Sequence, residues 1–478
     1  MSTREALRTG LDILIAVPVL VALASVQIDL SSQPIVRILD WNAWAGHAVI
    51  LGLIVAFWAG YLQLRRPELI RQTRLRTFMI GLLIVVAVLG RGADMLAPYL
   101  VPLDMGPYLV PVSLGAGLAA IFAGAEAAFS LTVVLALWVV LGPELHPIAT
   151  LAAFGSGAVA VFRCHNLRRL SDLPLAGVEI GLAGAVIHAG ASLAVFGPGA
   201  MDPLGLLWSG LNGLISALLI FGGLPLAEMI TQRTSPLGLV ELLNPSNPLL
   251  QLLREHAPGT YHHSFNVADL AESAAQAIGA DPLLAKVGGY YHDIGKMRRP
   301  EFFIENQHEG ENPHDEISPS MSKMILTSHV KEGEELAREY GLRDDIIRFI
   351  RQHHGTAVIR YFYLKALREG TASEASISDY RYNTEHPNTP ETAIVMLADS
   401  VEAATKSMND ASKLEEFVAD VMQGPIDDGQ LNDSPLTLRD IERIRESFLK
   451  TLRAMRHDRT GSYPGPSDSE TEPVESPE

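Results

Sequence analysis

The chain has 478 residues, 48% of them apolar and only 19% charged, with a formal net charge of -17 at pH 7. That length allows two or three domains, and the acidic balance argues against binding DNA or RNA polymers, whose affinity comes mostly from Lys and Arg on phosphates. The only cysteine, Cys164, excludes a disulfide framework within the monomer and a Cys-based zinc site.

These averages conceal two unlike halves. From 11 to 230 Leu, Val, Ala and Gly dominate, whereas from about 231 the composition is that of a soluble protein. A hydrocarbon core of about 30 Å takes roughly 20 apolar residues in a helix, with about 17 tolerated. This predicts eight spans, near 11–29, 44–64, 76–97, 107–124, 126–142, 148–163, 175–197 and 205–230, the fourth to sixth being short and closely spaced. No small-residue cleavage site follows Leu30, so the first stretch reads as a retained span and not a signal peptide.

Arginines alternate from loop to loop. Arg4 and Arg8 precede the first span, Arg65, Arg66, Arg71, Arg74 and Arg76 follow the second, Arg163, Arg168 and Arg169 follow the sixth, and Arg233 follows the eighth. The intervening loops hold one, Arg37, so the positive-inside rule puts both termini and the soluble half in the cytoplasm. His47, Arg91 with Asp94, Glu126, Glu179, His188 and Asn212 interrupt the spans, and polar residues at that depth serve either a pocket or packing.

Residues 231–259 read as a linker punctuated by Pro236, Pro245, Pro248 and Pro258, with a short amphipathic helix between Asn247 and Glu255 as a candidate coupling element. The soluble half, 260–457, reads as helical throughout. Helices are expected over Ser264–Ile278, from Asp281-Pro282 through His292 and Asp293, from Ser318-Pro319 to His329, over Leu342–His353, over Pro390–Lys406, and from Thr437 and Asp440 to His457. Strand signals are scarce, so the fold class is all-α: a polytopic membrane domain over 1–230 followed by a helical cytoplasmic domain. The tail, 458–478, is Gly, Pro, Ser and acid, and is expected to be disordered.

Fifteen histidines occur, and nine crowd into 256–354. Neutral imidazoles with a carboxylate that can bridge two ions suit activation of water for phosphoester hydrolysis. Asp293 is the natural bridge, since each of its oxygens can take one ion. With His263, His292, His329, His353, His354 and Asp399 there are donors enough for two.

The order His, His-Asp, distant His, His-His, Asp resembles the HD superfamily of metal-dependent phosphohydrolases. The strings Ala257-Pro258-Gly259-Thr260-Tyr261-His262-His263-Ser264, Gly289-Tyr290-Tyr291-His292-Asp293-Ile294-Gly295-Lys296 and Asn312-Pro313-His314-Asp315-Glu316-Ile317-Ser318-Pro319 resemble one branch closely, the seven-transmembrane HD family. Its characterised members are membrane-anchored phosphodiesterases that cleave cyclic di-AMP to pApA. The resemblance extends over roughly 240–457. It implies one ion held by His263, His292, Asp293 and Asp399 and another by Asp293, His329, His353 and His354, a metal-activated water as nucleophile, and Lys296 stabilising charge on the phosphoryl group. It selects His263 as ligand and leaves His262 as a neighbour that shapes the site. Histidine-rich sites of this kind suit Fe or Mn better than Zn.

Asn312, His314 and Asp315 are candidates for substrate contact, as are Arg360 and Tyr361, a cation and a ring able to stack on a purine. The partners expected are a cyclic dinucleotide and the lipid bilayer, with a homodimer as the candidate assembly, and the location is a bacterial inner (plasma) membrane. The family usually carries a large extracytoplasmic domain after its first span, and here about 14 residues, Leu30 to Ala43, occupy that place. Cyclic di-GMP hydrolysis is the alternative among enzymes, but Thr356-Ala357-Val358-Ile359 follows His353-His354-Gly355 where that group has Gly-Tyr-Pro. Other nucleotide phosphohydrolases match only the generic ligands, and a non-hydrolysing nucleotide receptor is the alternative of another class.

Overall fold

The computed structural model describes residues 17–23, 27–29, 35–37, 41–100, 106–141, 147–165, 167, 169, 171–197, 202–307, 312–406, 408 and 413–460, with backbone alone at 27–29, 35–37, 41–44, 94–100, 106–107, 375 and 456–460. It divides into two units, Met1–Gly238 and Leu239–Glu478.

The first unit begins with α1 (residues 17–23) and a small antiparallel pair, β1 (Gln27–Asp29) and β2 (Ile35–Arg37). Helices α2 (Trp41–Arg65), α3 (Pro67–Arg71), α4 (Thr73–Leu100), α5 (Val112–Ala123), α6 (Ala125–Val140), α7 (Pro147–His165), α8 (Asp172–Phe196) and α9 (Pro203–Thr231) follow. Among the described residues, five segments are long and apolar enough to cross a membrane: Ala45–Arg65, Thr73–Ala93, Pro147–His165, Asp172–Phe196 and Pro203–Thr231.

Three of the eight expected spans differ from these segments in length or extent. The run 11–29 is helical over 17–23 but extended by Gln27, where polar residues interrupt it, and its other residues lie outside those described. The spans at 107–124 and 126–142 are shorter helices, 12 and 16 residues long. At about 1.5 Å per residue, the shorter reaches only about 18 Å. Gly124, at φ +89°, breaks the helix between them.

Small residues bring α8 and α9 close. A Cβ on Gly213 would sit 2.1 Å from the Gly181 backbone nitrogen, and one on Gly181 would sit 2.1 Å from the Gly210 carbonyl oxygen. Polar groups among these helices are paired locally. Glu126 accepts from Arg65 at 2.9 Å and from Tyr61 at 3.1 Å, Glu179 pairs with Arg163 at 2.7 Å, and the Asn212 amide donates to the carbonyls of Tyr108 at 2.7 Å and Val110 at 3.1 Å. His188 packs its ring edge-on to Tyr108, and Arg91 is buried; the side chain of Asp94, its expected partner, lies outside the described residues.

After α10 (Pro236–Leu242), the second unit contains α11 (Pro248–His256), α12 (Pro258–Ile278), α13 (Pro282–Tyr291), α14 (Pro319–Glu339), α15 (Asp344–Gln352), α16 (Arg360–Arg368), α17 (Pro390–Thr405), α18 (Leu414–Asp427) and α19 (Leu438–Thr460). Sequence-local devices start many of them. Proline stands in the first turn of α11 to α14 and α17, Asp281 accepts from the amides of Leu283 and Leu284, Ser318 from Met321, and Thr437 exchanges hydrogen bonds with Asp440.

Val267, Leu270 and Ala274 of α12 bury against Ile394, Leu397 and Val401 of α17 and Ile444, Phe448 and Leu452 of α19. A second cluster joins Leu249, Leu250 and Leu253 of α11 to Tyr290, Tyr291 and Ile294. The segment expected as a linker thus contributes core to this unit, and Tyr291 donates its hydroxyl proton to the Leu242 carbonyl at 2.8 Å. One further boundary is corrected: α13 ends at Tyr291, His292 is its C-cap, and Asp293 precedes a 3-10 turn, Ile294–Arg298, instead of lying within the helix. The turn lets Gly295 lie directly on α14, where a Cβ would sit 1.9 Å from the His329 carbonyl oxygen.

Candidate metal centre

Five structural elements converge on Asp293. Helix α12 carries His263, the end of α13 His292 and Asp293, α14 His329, the end of α15 His353 and His354, and α17 Asp399. Donor atoms fall in two groups, each within 4.8 Å: Asp293, His329, His353 and His354, and His263, His292, Asp293 and Asp399.

Asp293 belongs to both groups, and its two oxygens are divided between them. Oδ1 lies 3.4 Å from Nε2 of both His329 and His353, and Oδ2 lies 3.2 Å from Nε2 of His292 and 3.6 Å from that of His263. Oδ1 and His292 Nε2 are buried without a hydrogen bond, and Oδ2, also buried, faces the Lys296 ammonium.

Backbone carbonyls determine which ring nitrogen carries the proton. Nδ1 of His292 faces the Gly289 carbonyl at 2.8 Å, Nδ1 of His329 that of Leu326 at 2.5 Å, and Nδ1 of His353 that of Ile350 at 2.9 Å. A carbonyl can only accept, so each Nδ1 must donate, and each ring, once neutral, presents an Nε2 lone pair to Asp293. His329 and His353 accordingly meet Nε2 to Nε2 at 3.2 Å. Converging lone pairs and a carboxylate repel one another unless a cation lies among them, so these residues fit divalent ions.

His263 is oriented differently. Its Nε2 lies 2.9 Å from Asp399 Oδ1, while Nδ1 lies 2.5 Å from Glu402 Oε2, and Asn266 and Lys406 also bond Glu402, at 2.9 and 3.0 Å. Lys296 Nζ sits 2.7 Å from Asp293 Oδ2 and 2.9 Å from Glu305 Oε1, and Glu305 accepts from the Thr260 hydroxyl at 3.0 Å.

Burial and charge act together here. Burial favours the neutral acid at Asp293, but Lys296 and His292 overcome it and hold the carboxyl well below its usual range. Burial likewise opposes charge on Lys296, yet Asp293 and Glu305 keep its pKa well above the ordinary value. His329 is pushed down to about 4 by burial. At His292 burial lowers the pKa, but Asp293 and Asp399 outweigh it and raise the value to about 10.

The remaining sequence candidates lie outside both donor groups. Asn312 caps the His314 amide at 3.1 Å, and His314 is buried against Phe302 and Phe362, its Nε2 2.8 Å from the Phe302 carbonyl. Asp315 pairs with Lys365 at 3.6 Å, and Arg360 and Tyr361 are exposed on α16. His262, expected to shape the site, is exposed, because consecutive helical residues point about 100° apart and His263 takes the buried direction. The sequence reading missed Glu402, Glu305 and Tyr382. Glu402 had a signal, its place one turn after Asp399, whereas Glu305 arrives on a 3-10 turn, Ile304–Asn306, and Tyr382 on an irregular segment, neither with a local pattern.

A helical scaffold that presents these donors in this order defines an HD-domain protein. The HD domain family model matches residues 260–404, and the model described as 7TM receptor with intracellular HD hydrolase matches residues 41–235. With both domains in that order, the chain belongs to the seven-transmembrane HD family. It is 40% identical over 255 residues to the cyclic-di-AMP phosphodiesterase PgpH of Bacillus subtilis (strain 168), covering 53% of this chain and 35% of that protein. To PgpH of Listeria monocytogenes serotype 1/2a (strain 10403S) it is 39% identical over 318 residues, 66% of this chain and 44% of the relative. The crystal structure of the L. monocytogenes PgpH HD domain is 42% identical and covers 44% of this chain and 100% of that one, with a TM-score of 0.42. The chain thus spans less than half the length of the two curated relatives.

Proposed function

We propose that this chain is a membrane-anchored, metal-dependent phosphodiesterase that hydrolyses cyclic di-AMP to pApA. The observation that carries the hydrolase reading is the division of Asp293 between two donor groups, with Nε2 of His329 and His353 on one oxygen and Nε2 of His292 and His263 on the other. The substrate reading is supported by the 40% and 39% identity to the two PgpH phosphodiesterases.

In this reading His263, His292, Asp293 and Asp399 hold one divalent ion and Asp293, His329, His353 and His354 the other, Fe or Mn in preference to Zn. The chemistry such a pair supplies is an ionised water as nucleophile and neutralisation of phosphate charge. Backbone carbonyls hold His292, His329 and His353 in the tautomer a ligand needs, and Glu402 does the same for His263. Lys296, fixed between Asp293 and Glu305, orients the shared carboxylate and adds positive charge beside the phosphoryl group. The membrane domain, 1–230, lies in a bacterial inner membrane, and the arginine-rich loops, both termini and the catalytic domain, 260–457, face the cytoplasm.

The test uses the full chain in detergent, loaded anaerobically with Fe(II) or Mn(II), with cyclic di-AMP and cyclic di-GMP followed by chromatography. Conversion of cyclic di-AMP to pApA, abolished in Asp293→Ala, is the expected result. Absence of turnover of either dinucleotide with two ions bound would end the substrate assignment, and tight nucleotide binding without turnover would identify a receptor.

A further inference from the structure

Tyr382 lies at the metal centre with an unused donor. Its ring stacks on His354 at 4.3 Å between centroids and 28° between planes, and it faces His329 edge-on at 6.2 Å. Its phenol lies within electrostatic reach of Lys296, Asp293, Asp399 and Glu305. The hydroxyl makes no hydrogen bond with any described residue, although the ring is partly buried.

The position is built and not incidental. The Tyr382 amide donates to the Ala357 carbonyl at 3.0 Å. On one side Arg381 grips both oxygens of Asp428 at 2.7 and 2.8 Å and donates to the Thr356 carbonyl at 2.7 Å. On the other, Thr384 donates to the Gly355 carbonyl, and His386 bridges Thr356 at 3.0 Å and Asp433 at 3.1 Å. Segment 381–386 is thus stapled to the residues that directly follow His353 and His354. The staples hold a neutral donor beside a cluster whose cation, Lys296, is already committed to two carboxylates.

Resting on the phosphodiesterase reading above, we propose that Tyr382 is a substrate-contacting residue whose hydroxyl donates a hydrogen bond to a non-bridging oxygen of the phosphodiester at the metal centre. A phosphodiester anion brings acceptors and no donor, which is the complement this hydroxyl lacks within the protein. The ring, held against His354, sets the direction of that donor.

The experiment compares wild type, Tyr382→Phe and Tyr382→Ala in the full chain in detergent, loaded with Mn(II). Three quantities are read: metal content, affinity for inorganic phosphate, and kcat/KM on cyclic di-AMP and on bis(4-nitrophenyl) phosphate as a generic diester. Tyr382→Phe keeps the ring, so it is expected to retain both ions while phosphate affinity and kcat/KM fall about tenfold to a hundredfold, the range for a hydrogen bond to a charged group. Unchanged phosphate affinity and turnover in Tyr382→Phe would overturn the proposal. So would a loss that merely tracks loss of metal, since Tyr382 would then be a positioning residue for His354. If wild type hydrolyses neither diester, the phosphodiesterase reading fails on its own, and the difference in phosphate affinity between wild type and Tyr382→Phe still decides for or against the contact. Tyr382→Ala separates ring from hydroxyl: it is expected to lose metal as well as phosphate, and metal retention with unaltered phosphate affinity would count against the proposal.

Discussion

His263 and Glu402, separated by 139 residues, meet with Nδ1 2.5 Å from Oε2, so that the carboxylate turns Nε2 of the ring toward Asp399 and Asp293. Asn266 occupies the other oxygen of Glu402, which leaves the pair little freedom. Glu402→Ala is expected to weaken metal binding by about 10- to 100-fold, the usual consequence of losing a partner that orients a ligating histidine. Glu402→Gln, which can still accept from Nδ1, should recover part of it. Competition with a graded chelator, read as metal retained per chain, checks both variants.

Asp293 joins the two donor groups, so its removal is not equivalent to loss of one ligand. Asp293→Ala is expected to empty both positions and to lower turnover by orders of magnitude, whereas His354→Ala, which touches one group, should leave about one ion per chain. Elemental analysis of the dialysed proteins distinguishes the two results, and two ions retained in Asp293→Ala would contradict the shared role.

A pH dependence follows from His292. In the metal-free protein its pKa is raised to about 10, because Asp293 and Asp399 outweigh burial, so at pH 8 the ring carries a proton that a ligand must release. A raised pKa means the proton competes with metal at every pH below that value, so affinity should rise with pH across the neutral range. Calorimetry at pH 8 in buffers of different ionisation enthalpy should record release of about one proton at the His292 position, and zero release would show that the ring is neutral before loading.

Gly295 has no room for a side chain, since a Cβ would meet the His329 carbonyl at 1.9 Å and the Gly333 amide nitrogen at 2.6 Å. Gly295→Ala must separate the 3-10 turn from α14, at a cost of about 1 to 3 kcal/mol, as expected for overpacking. Because both segments carry donors, metal affinity should fall together with thermal stability. A rise in neither the unfolding rate nor the metal dissociation constant would refute the contact.

In the membrane unit the close approach of α8 and α9 depends on Gly181 and Gly213 in the same way. Gly213→Leu should force the two helices apart and lower the stability of the full chain in detergent, while Gly222→Leu on the same helix, where nothing lies within 4 Å, should be tolerated. Thermal unfolding of the two variants, compared with wild type, tests the pairing.

The residues of the two candidate donor groups were legible before any coordinates because their types are rare together and their order is a property of the chain itself. Helix starts were legible for a related reason, since Asp281-Pro282, Ser318-Pro319 and Thr437 with Asp440 act on amides two or three residues away. The limits of that reasoning appear at α13, where helical propensity runs on through Asp293 but the close contact of Gly295 with α14 ends the helix two residues earlier. They appear again in α5 and α6, where the sequence reading expected runs of 18 and 17 residues and the helices, divided at Gly124, have 12 and 16.

Sequence alone therefore determined the division into an apolar and a more polar half, the helical class and the identity of the candidate donors, because hydrophobicity, caps and residue chemistry act over a few neighbours. Tertiary structure alone decided that each oxygen of Asp293 faces its own pair of imidazoles, that Glu305 and Glu402 complete the charges around Lys296 and His263, and that Tyr382 stands over His354. The reason is distance along the chain: 36 residues separate Asp293 from His329, and 139 separate His263 from Glu402, so these contacts arise only from how the helices pack.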